Sequence, residues 1–264
     1  FEVLDSVTIA RSRKHIEKYY NTEEIGKFPQ RLKPISRRPS MTDLSSAINY
    51  NQIYEQLMQL TLVIYTPSNY IFPSKMSKYI DLTHNKGNNL TQKGREQGIQ
   101  RLMSINLLKR LESSVYSFNL TLSRILALIK STISAIDSFE KNGKADLDMY
   151  EASDSDFDID DENNDYFTVG KKVKIDLADM DYKTWRDELQ RDADTLELLT
   201  LMIADVTPEH DLKLQTLLHL LDEKIKHPIN EGNKKVLIFS AFSDTAEYLY
   251  DQVSAYMKSN YGLD

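Results

Sequence analysis

An apolar stripe at helical spacing runs through the middle of the chain and constrains its fold more than any other feature. Between residues 92 and 140 apolar side chains recur at steps of three and four; they are Ile99, Leu102, Ile105, Leu108, Leu111, Val115, Phe118, Leu122, Ile125, Ile129, Ile133 and Ile136. This is the period of an α-helix with one face turned inward. Gly98 would weaken a single helix by about 1 kcal/mol relative to alanine, so the stripe predicts one long helix or two. Asn142-Gly143 is a typical helix stop.

Other parts of the chain carry the same helical signals. The inward positions are Leu44, Ile48, Ile53, Leu57, Leu60 and Ile64 in residues 42–65, and Trp185, Leu189, Leu196, Leu199 and Ile203 in residues 182–206. Thr207-Pro208-Glu209 predicts the start of a helix that runs to about His227, with threonine as the cap and proline at the first position. Residues 243–259 predict a further helix, so the expected fold class is mostly α.

The period changes near the C-terminal end. Residues 234–240, Lys-Lys-Val-Leu-Ile-Phe-Ser, form a short continuous apolar run, which is typical of a strand buried on both faces of a parallel sheet. This strand and the helix after it make one βα step, and a sheet needs neighbouring strands. We therefore expect those neighbours to lie outside this sequence. The opening at Phe1 without an initiator methionine and the end at Asp264 agree with an internal segment of a longer protein.

The charge is divided between an acidic block and a mildly basic remainder. The formal net charge is −7, but residues 146–165 hold ten acidic side chains and no lysine or arginine, which leaves +3 for the rest. We interpret this block as a solvated loop. Residues 9–40 carry nine basic side chains against three acidic ones, with a basic helix expected over 11–20 and an extended, proline-containing path over 21–41. A basic body can meet phosphate groups.

Several classes of site are disfavoured by composition and spacing. The absence of cysteine excludes disulfides, thiolate zinc sites and cysteine nucleophiles. The alternating aspartates that follow Asp154 suggest a calcium loop, but Ile159 and Asp165 stand where such a loop needs glycine and glutamate. The five histidines are scattered, so we expect no metal. No stretch approaches the roughly 20 apolar residues of a membrane span, and we expect a cytoplasmic protein without membrane contact.

Three segments carry a resemblance to a known family. The first is Ile9-Ala-Arg-Ser-Arg-Lys-His-Ile16, and the second is Leu107-Leu-Lys-Arg-Leu-Glu-Ser-Ser114 followed by Phe118. The third comprises Asp211-Leu-Lys213, Lys235-Val-Leu-Ile-Phe-Ser-Ala-Phe-Ser-Asp-Thr245 and Tyr248-Leu-Tyr250. In this order they resemble, in Swi/Snf-type helicase-like ATPases of superfamily two, the basic segment after the first RecA-like lobe, an interlobe signature of a bacterial branch, and the opening of the second lobe with helicase motif IV.

The resemblance implies a double-stranded-DNA translocase driven by ATP hydrolysis. Residues 1–41 would follow the first motor lobe, residues 42–230 would form a helical interlobe subdomain, and residues 231–264 would supply the first βα unit of an incomplete RecA-like lobe. The remaining lobe segments would lie in the same polypeptide. ATP and Mg²⁺ would bind to the parent protein and not to this segment.

The resemblance also implies DNA-binding positions. The turn after motif IV faces nucleic-acid phosphate in such motors, which implies contacts from Ser240, Phe242, Ser243 and Asp244; free N–H groups and the dipole at a helix N-terminus favour an anion there. The alternative is that Ser243 or Asp244 caps its own helix. Clustered cations could contact the DNA backbone or form a solvated surface; they are Arg11, Arg13, Lys14, Arg37 and Arg38. Lys109, Arg110 and Glu112 could form a buried or interlobe ion pair, or reach DNA.

The catalytic parts of such a motor are missing from this sequence. Gly143-Lys144-Ala145 lacks the preceding glycine and the hydroxyl of a phosphate loop, and the arginine-finger motif is also missing. Asp187-Glu188 resembles helicase motif II but lies in an amphipathic helix and not after an apolar strand. We therefore assign no catalytic residue and expect the segment alone to be inactive. The alternative function is a non-enzymatic helical scaffold or protein-interaction module, which explains the long helices but not the apolar run at 235–240.

Overall fold

The computed structural model of the chain describes residues 13–20, 32–44, 49–80, 92–142, 146–147, 175–229 and 231–262. The chain divides into two units, residues 1–38 and 39–264. In the first unit, helix α1 spans Arg13–Tyr19, which agrees with the basic helix expected there. Residues 32–38 are exposed and belong to no helix; the extended path predicted over 21–41 stays a prediction.

The second unit begins with a helix much shorter than the sequence pattern predicts. Helix α2 spans Tyr50–Leu57 and starts at a capping box made by Asn49 and Gln52. The predicted helix over 42–65 is wrong at both ends. Thr42 forms an antiparallel bridge with Asp211, and after α2 the chain turns through Leu62, whose φ is 52°. Short 3₁₀ turns at Val63–Tyr65 and Pro67–Tyr70 and the four-residue helix α3, Ser77–Ile80, follow.

The apolar stripe predicted between residues 92 and 140 lies on two long helices. Helix α4 spans Gln92–Ser113 and helix α5 spans Val115–Asn142, so of the two alternatives, one helix or two, the structure has two. The boundary falls at Ser114, whereas Gly98 lies inside α4. Helix α6, Tyr182–Ile203, packs along α5, and its predicted inward side chains are all buried.

The described residues between α5 and α6 form short elements. Strand β1, Asp146–Leu147, pairs antiparallel with strand β2, Ile175–Asp176, and a 3₁₀ turn at Leu177–Asp179 follows. Apart from residues 146–147, the acidic block at 146–165 and the calcium-like pattern within it lie outside the described residues.

The last helices start and end close to the predicted positions, with one correction. Helix α7 spans Leu212–Lys226 and is capped by Asp211, whose carboxylate accepts hydrogen bonds from the Lys213 and Leu214 backbone N–H groups at 3.0 and 3.1 Å. The predicted start at Thr207-Pro208 is therefore wrong, because Asp211 supplies the cap four residues later. Helix α8 spans Ser243–Tyr261 and ends at Gly262, whose φ is 63°.

The expected strand at 234–240 is not found as a paired strand. These residues are exposed and belong to no helix or strand, and they pair with no strand in the part of the chain that the structure describes. The mostly helical class is confirmed, whereas the RecA-like βα unit is not. The predicted domain boundaries at residues 41 and 230 stay predictions.

The apolar side chains of the second unit form two separate clusters. The main core lies where α4, α5 and α6 meet the 3₁₀ turns, and its fully buried members include Ile53, Leu107, Phe118, Ile129, Trp185 and Leu196. Each such side chain stabilises the fold by about 1.5–3 kcal/mol. The smaller cluster joins α7 to α8 through Leu214, Leu218, Leu221 and Tyr248. No residue belongs to both clusters.

Candidate functional site at the junction of α4, α5 and α8

The junction between α4 and α5 is a single residue with a polar side chain. The hydroxyl of Ser114 accepts a hydrogen bond from the Ser117 backbone N–H at 3.0 Å, which caps the start of α5. On the other side, the Lys213 ammonium donates to the backbone carbonyls of Glu112 and Ser113. It satisfies acceptors that the last turn of α4 leaves open, and a cation is favoured there by the helix dipole.

A buried ion pair ties this junction to the start of α8. The Arg110 guanidinium donates to the Asp244 carboxylate at 2.6 Å and to the Ser117 hydroxyl at 3.1 Å. Arg110 is 1% exposed, and its guanidinium lies over the Phe242 ring at 4.7 Å from the centroid, a cation–π contact. Arg124 of α5 reaches the same carboxylate oxygen at 3.3 Å and is 28% exposed. Of the alternatives for Arg110, the buried ion pair is confirmed.

Hydroxyl groups complete the contact between α8 and the junction. The Thr245 hydroxyl lies 2.8 Å from the Ser113 hydroxyl and 3.0 Å from the Ser114 hydroxyl. Ser114 and Thr245 are buried. We call the group formed by Arg110, Ser113, Ser114, Ser117, Asp244 and Thr245 the elbow cluster. It joins residues up to 134 positions apart in the chain.

The start of α7 is attached to α8 beside the elbow cluster. The Tyr248 hydroxyl donates to the Asp211 carboxylate at 3.1 Å, so the residue that caps α7 also binds α8. Burial, and then the Asp211 charge, raise the pKa of Tyr248 above its ordinary value. The ring of Tyr248 stacks on that of Tyr116, with centroids 4.9 Å apart and planes 7° from parallel. The three helices α5, α7 and α8 therefore meet at one place.

An exposed apolar segment leads into α8. Its residues Val236, Leu237, Ile238 and Phe239 are 43%, 83%, 43% and 88% exposed. The alternation agrees with extended backbone, in which successive side chains point to opposite sides. The segment thus presents two apolar faces, which water solvates poorly.

The structure places the predicted DNA-binding residues in different surroundings. Ser240 is exposed, and its hydroxyl accepts from the Phe242 backbone N–H at 3.2 Å. Ser243 is half-buried at the first position of α8, whose N-cap residue is Phe242 without a side-chain capping bond. Phe242 and Asp244 are buried against Arg110. Their roles in DNA binding stay predictions.

The basic candidates belong to the first unit. Arg13 is half-buried in α1, and Arg37 and Arg38 are exposed outside any helix. Arg11 lies outside the described residues, as does the side chain of Lys14. Their contact with DNA likewise stays a prediction.

Sequence reasoning did not find the contacts that form the elbow cluster. It missed Ser117 and the neighbouring Arg124 altogether, because nothing in the local pattern relates them to Arg110. One usable signal was the position of Arg110 on the apolar face that contains Leu107 and Leu111. A cation on a buried helix face needs a carboxylate or several acceptors, and this requirement could have prompted a search for an acid.

Comparisons with known proteins found no relative of this chain. No family model, no curated protein and no solved structure matches the chain. Among the described residues, no group of three or more histidine or acidic side chains could hold a metal ion. In the same ranges every helix is too short or too polar to cross a bilayer.

Proposed function

We propose that the chain is the helical region between the two motor lobes of a Swi/Snf-type DNA-dependent ATPase. One observation carries the proposal: sequence segments that separately resemble this family meet in space. Arg110, Ser113 and Ser114 come from the interlobe signature, and Asp244 and Thr245 come from the segment around motif IV. Lys213, from the short match at the start of α7, binds the same elbow through two backbone carbonyls.

The nature of these contacts supports a shared role for the segments. Removing one member of a buried ion pair costs about 3–5 kcal/mol, so the arginine of one segment depends on the aspartate of the other. A helical scaffold could bury apolar residues at this junction with no loss of stability. A fixed angle between α5 and α8, in contrast, benefits from directional bonds to a charged group.

The exposed apolar segment supports the part of the proposal in which it pairs with strands outside this sequence. Residues 236–239 carry two apolar faces, and burial of one large apolar side chain is favourable by about 1.5–3 kcal/mol. Once such a segment is buried, its backbone groups also need hydrogen-bonding partners, which neighbouring strands supply. In the proposal, residues 234–240 are the first strand of the second lobe, and its neighbours come from further lobe segments of the same polypeptide.

DNA would be contacted by the exposed polar and basic groups. In the proposal, Ser240 and Ser243 meet backbone phosphate at the start of α8. Because the elbow cluster turns Asp244 inward, its part would be to hold this turn in place. In the first unit, Arg11, Arg13, Lys14, Arg37 and Arg38 are separate predicted contacts with the DNA backbone.

Nucleotide chemistry would lie elsewhere in the parent protein. The sequence contains no phosphate loop and no arginine-finger motif, so no residue of this chain is assigned to ATP or Mg²⁺. Its contribution would be to link the lobes and to supply surface for DNA during lobe closure. The isolated chain is therefore expected not to hydrolyse ATP.

The first test reads the gene outward from both ends of this sequence. We expect a phosphate loop and an acidic Asp-Glu box upstream and the arginine-finger motif downstream. A start codon close before Phe1 together with a stop codon soon after Asp264 would refute the proposal.

The second test measures double-stranded DNA binding by the full polypeptide. Charge reversal of Arg37 and Arg38 should weaken binding and lower the slope of log K against log salt by about 2, since each lost phosphate contact removes about 0.9. Charge reversal of Arg11, Arg13 and Lys14 should likewise weaken DNA binding and lower its salt dependence. The matched control reverses Lys130 and Lys183, which are exposed on α5 and α6. Equal effects of the two double variants would mean that only net charge matters and that no DNA interface lies at 37–38.

The second candidate function is a helical scaffold or interaction module. It is favoured by the continuous core of α4, α5 and α6, which requires no motor lobe. In that case residues 236–239 would add a strand to a partner protein. A full polypeptide without phosphate loop, ATP hydrolysis or DNA binding would favour this candidate.

A further inference from the structure

We infer that α7 and α8 form an arm that can leave the rest of the fold as one body, and that the elbow cluster is the latch that holds it. The arm and the latch are both parts of this chain, and neither depends on the proposed function. The contacts inside the arm differ in kind from the contacts that attach it.

Inside the arm, apolar packing and shared hydrogen bonds make α7 and α8 one piece. Their cluster of Leu214, Leu218, Leu221 and Tyr248 is distinct from the main core. At the other end of α8, the hydroxyls of Tyr256 and Tyr261 both donate to Asp222 of α7, at 2.8 and 2.7 Å. These bonds hold the pKa of Asp222 below its ordinary value, as expected for a carboxylate stabilised by donors.

The attachment of the arm is mainly polar. Arg110 and Arg124 bind Asp244, Ser113 and Ser114 meet Thr245, and the Lys213 ammonium caps α4. The start of α7 also donates a hydrogen bond from the Leu212 N–H to the Met41 carbonyl at 3.3 Å. The Tyr116–Tyr248 stack adds a contact of aromatic rings.

A polar attachment separates more easily than an apolar core. When it opens, each hydrogen bond is exchanged for bonds to water, so the net loss per bond is small. The charges of Arg110 and Asp244 regain hydration, which offsets much of their lost attraction. Opening the main core would instead expose large apolar surface. The arm is therefore expected to open before the core does.

Opening would relocate the exposed apolar segment. Residues 236–239 precede the first residue of α8 by only a few positions, so they follow any movement of that helix. The latch therefore decides where this segment and Ser240 are presented. Arg110 is a positioning residue in this scheme, because it acts through α8.

The first experiment measures amide hydrogen exchange of the wild-type 264-residue chain in low urea. We expect amides of α7 and α8 to exchange together and at least about tenfold faster than those of α5 and α6, as for a cooperative unit that opens below the global transition. Exchange of all four helices through one common opening would overturn the inference. This measurement needs no variant and is independent of ATP and DNA.

The second experiment follows the arm with pairs of spin labels, which the absence of native cysteine makes specific. Ser134 and Ser254 are exposed on α5 and α8 and, at 1.5 Å per residue, lie about 25 and 15 Å along their helices from the elbow cluster. The control pair, Ser104 and Ser134, lies on α4 and α5 within the main core unit. Each position is labelled after substitution by cysteine, for example Ser254→Cys.

The latch is tested by Arg110→Met against Arg124→Met. Arg110→Met should broaden the Ser134–Ser254 distance distribution and speed exchange in α8 by at least about a hundredfold, since it removes the buried partner of Asp244. The control distance should stay unchanged. Arg124→Met, which removes a partly exposed and longer contact, should change exchange by less than about threefold. Two results would contradict the latch. In one, the Ser134–Ser254 distance distribution stays narrow in Arg110→Met; in the other, the distributions of both label pairs broaden together.

Discussion

The carboxylate of Asp192 holds the turn that ends the α2 region, and its removal offers a sharp test of the fold. It accepts hydrogen bonds from the Thr61 backbone N–H at 2.8 Å, from the Thr61 hydroxyl at 3.1 Å and from the Val63 N–H at 3.1 Å. Between these donors lies Leu62, in the left-handed conformation with φ of 52°, which costs a non-glycine residue about 1–2 kcal/mol. The carboxylate thus stabilises a conformation that the chain would otherwise avoid.

Asp192→Asn keeps the shape of the side chain but replaces one acceptor by an NH₂ donor. The Val63 N–H, which is bonded to Oδ2, or the Thr61 N–H, which is bonded to Oδ1, then faces a donor. A buried group left unsatisfied costs about 1–3 kcal/mol, and a lost hydrogen bond to a charged acceptor costs a similar amount. Burial raises the pKa of Asp192, so relief of that desolvation offsets part of the loss. We expect a decrease of about 2–4 kcal/mol in the free energy of unfolding.

The assay is urea denaturation followed by the fluorescence of Trp185. This is the only tryptophan of the chain; it is fully buried in the main core, and its indole N–H donates to the Val63 carbonyl at 3.2 Å. The matched control is Asp194→Asn on the same helix, where the carboxylate is exposed and accepts from Gln190; its effect should stay below about 0.5 kcal/mol. Equal effects of the two substitutions would refute the role of Asp192.

Further expectations concern acid stability and two glycines. Hydrogen bonds from Lys78, then from Tyr79, lower the pKa of Asp179 from 3.8 to about 2. Because the folded-state pKa is the lower one, its stabilisation is present above pH 3.8 and is lost as pH falls through 2; Asp179→Asn should flatten stability over this window, and an unchanged acid limb in circular dichroism would contradict it. Gly98→Ala should stabilise α4 by about 0.5–1 kcal/mol, since a Cβ there meets nothing within 4 Å. Gly262→Ala should destabilise the end of α8 by about 1 kcal/mol because φ is 63°; thermal unfolding that shows the same sign for both would contradict this pair.

The sequence predicted helices well where local spacing decides the structure. The stop near His227 and the inward face of α6 are both observed, because a continuous apolar face and its end signals lie within a few turns. Residues 42–65 show the limit of this approach. Their apolar spacing is helical, but the donors of Thr61 and Val63 bind Asp192, about 130 positions away, and no local pattern contains that bond.

Cap and site predictions failed or stayed open for the same reason. Thr207-Pro208 is a good local helix start, yet Asp211 is also bound by Tyr248 of α8, which favours it as the cap. The sequence placed Arg110 in an apolar helix and allowed an ion pair among its alternatives. Its partner Asp244 is separated by 134 positions, so only the tertiary structure reveals it. The unpaired segment at 236–239 shows the converse case, in which local sequence predicts a strand but the described residues offer no neighbouring strand.

The central proposal is tested most directly by ATP hydrolysis of the full polypeptide with and without double-stranded DNA. We expect hydrolysis that rises when DNA is added, and no hydrolysis by the 264-residue chain alone. Leu237→Asp should abolish the rise because it would bury a charge within the second lobe, whereas Leu201→Asp, at a residue 72% exposed on α6, should leave it unchanged. The proposal would be contradicted if the full polypeptide hydrolysed no ATP under either condition, or if its rate of ATP hydrolysis did not change when DNA was added.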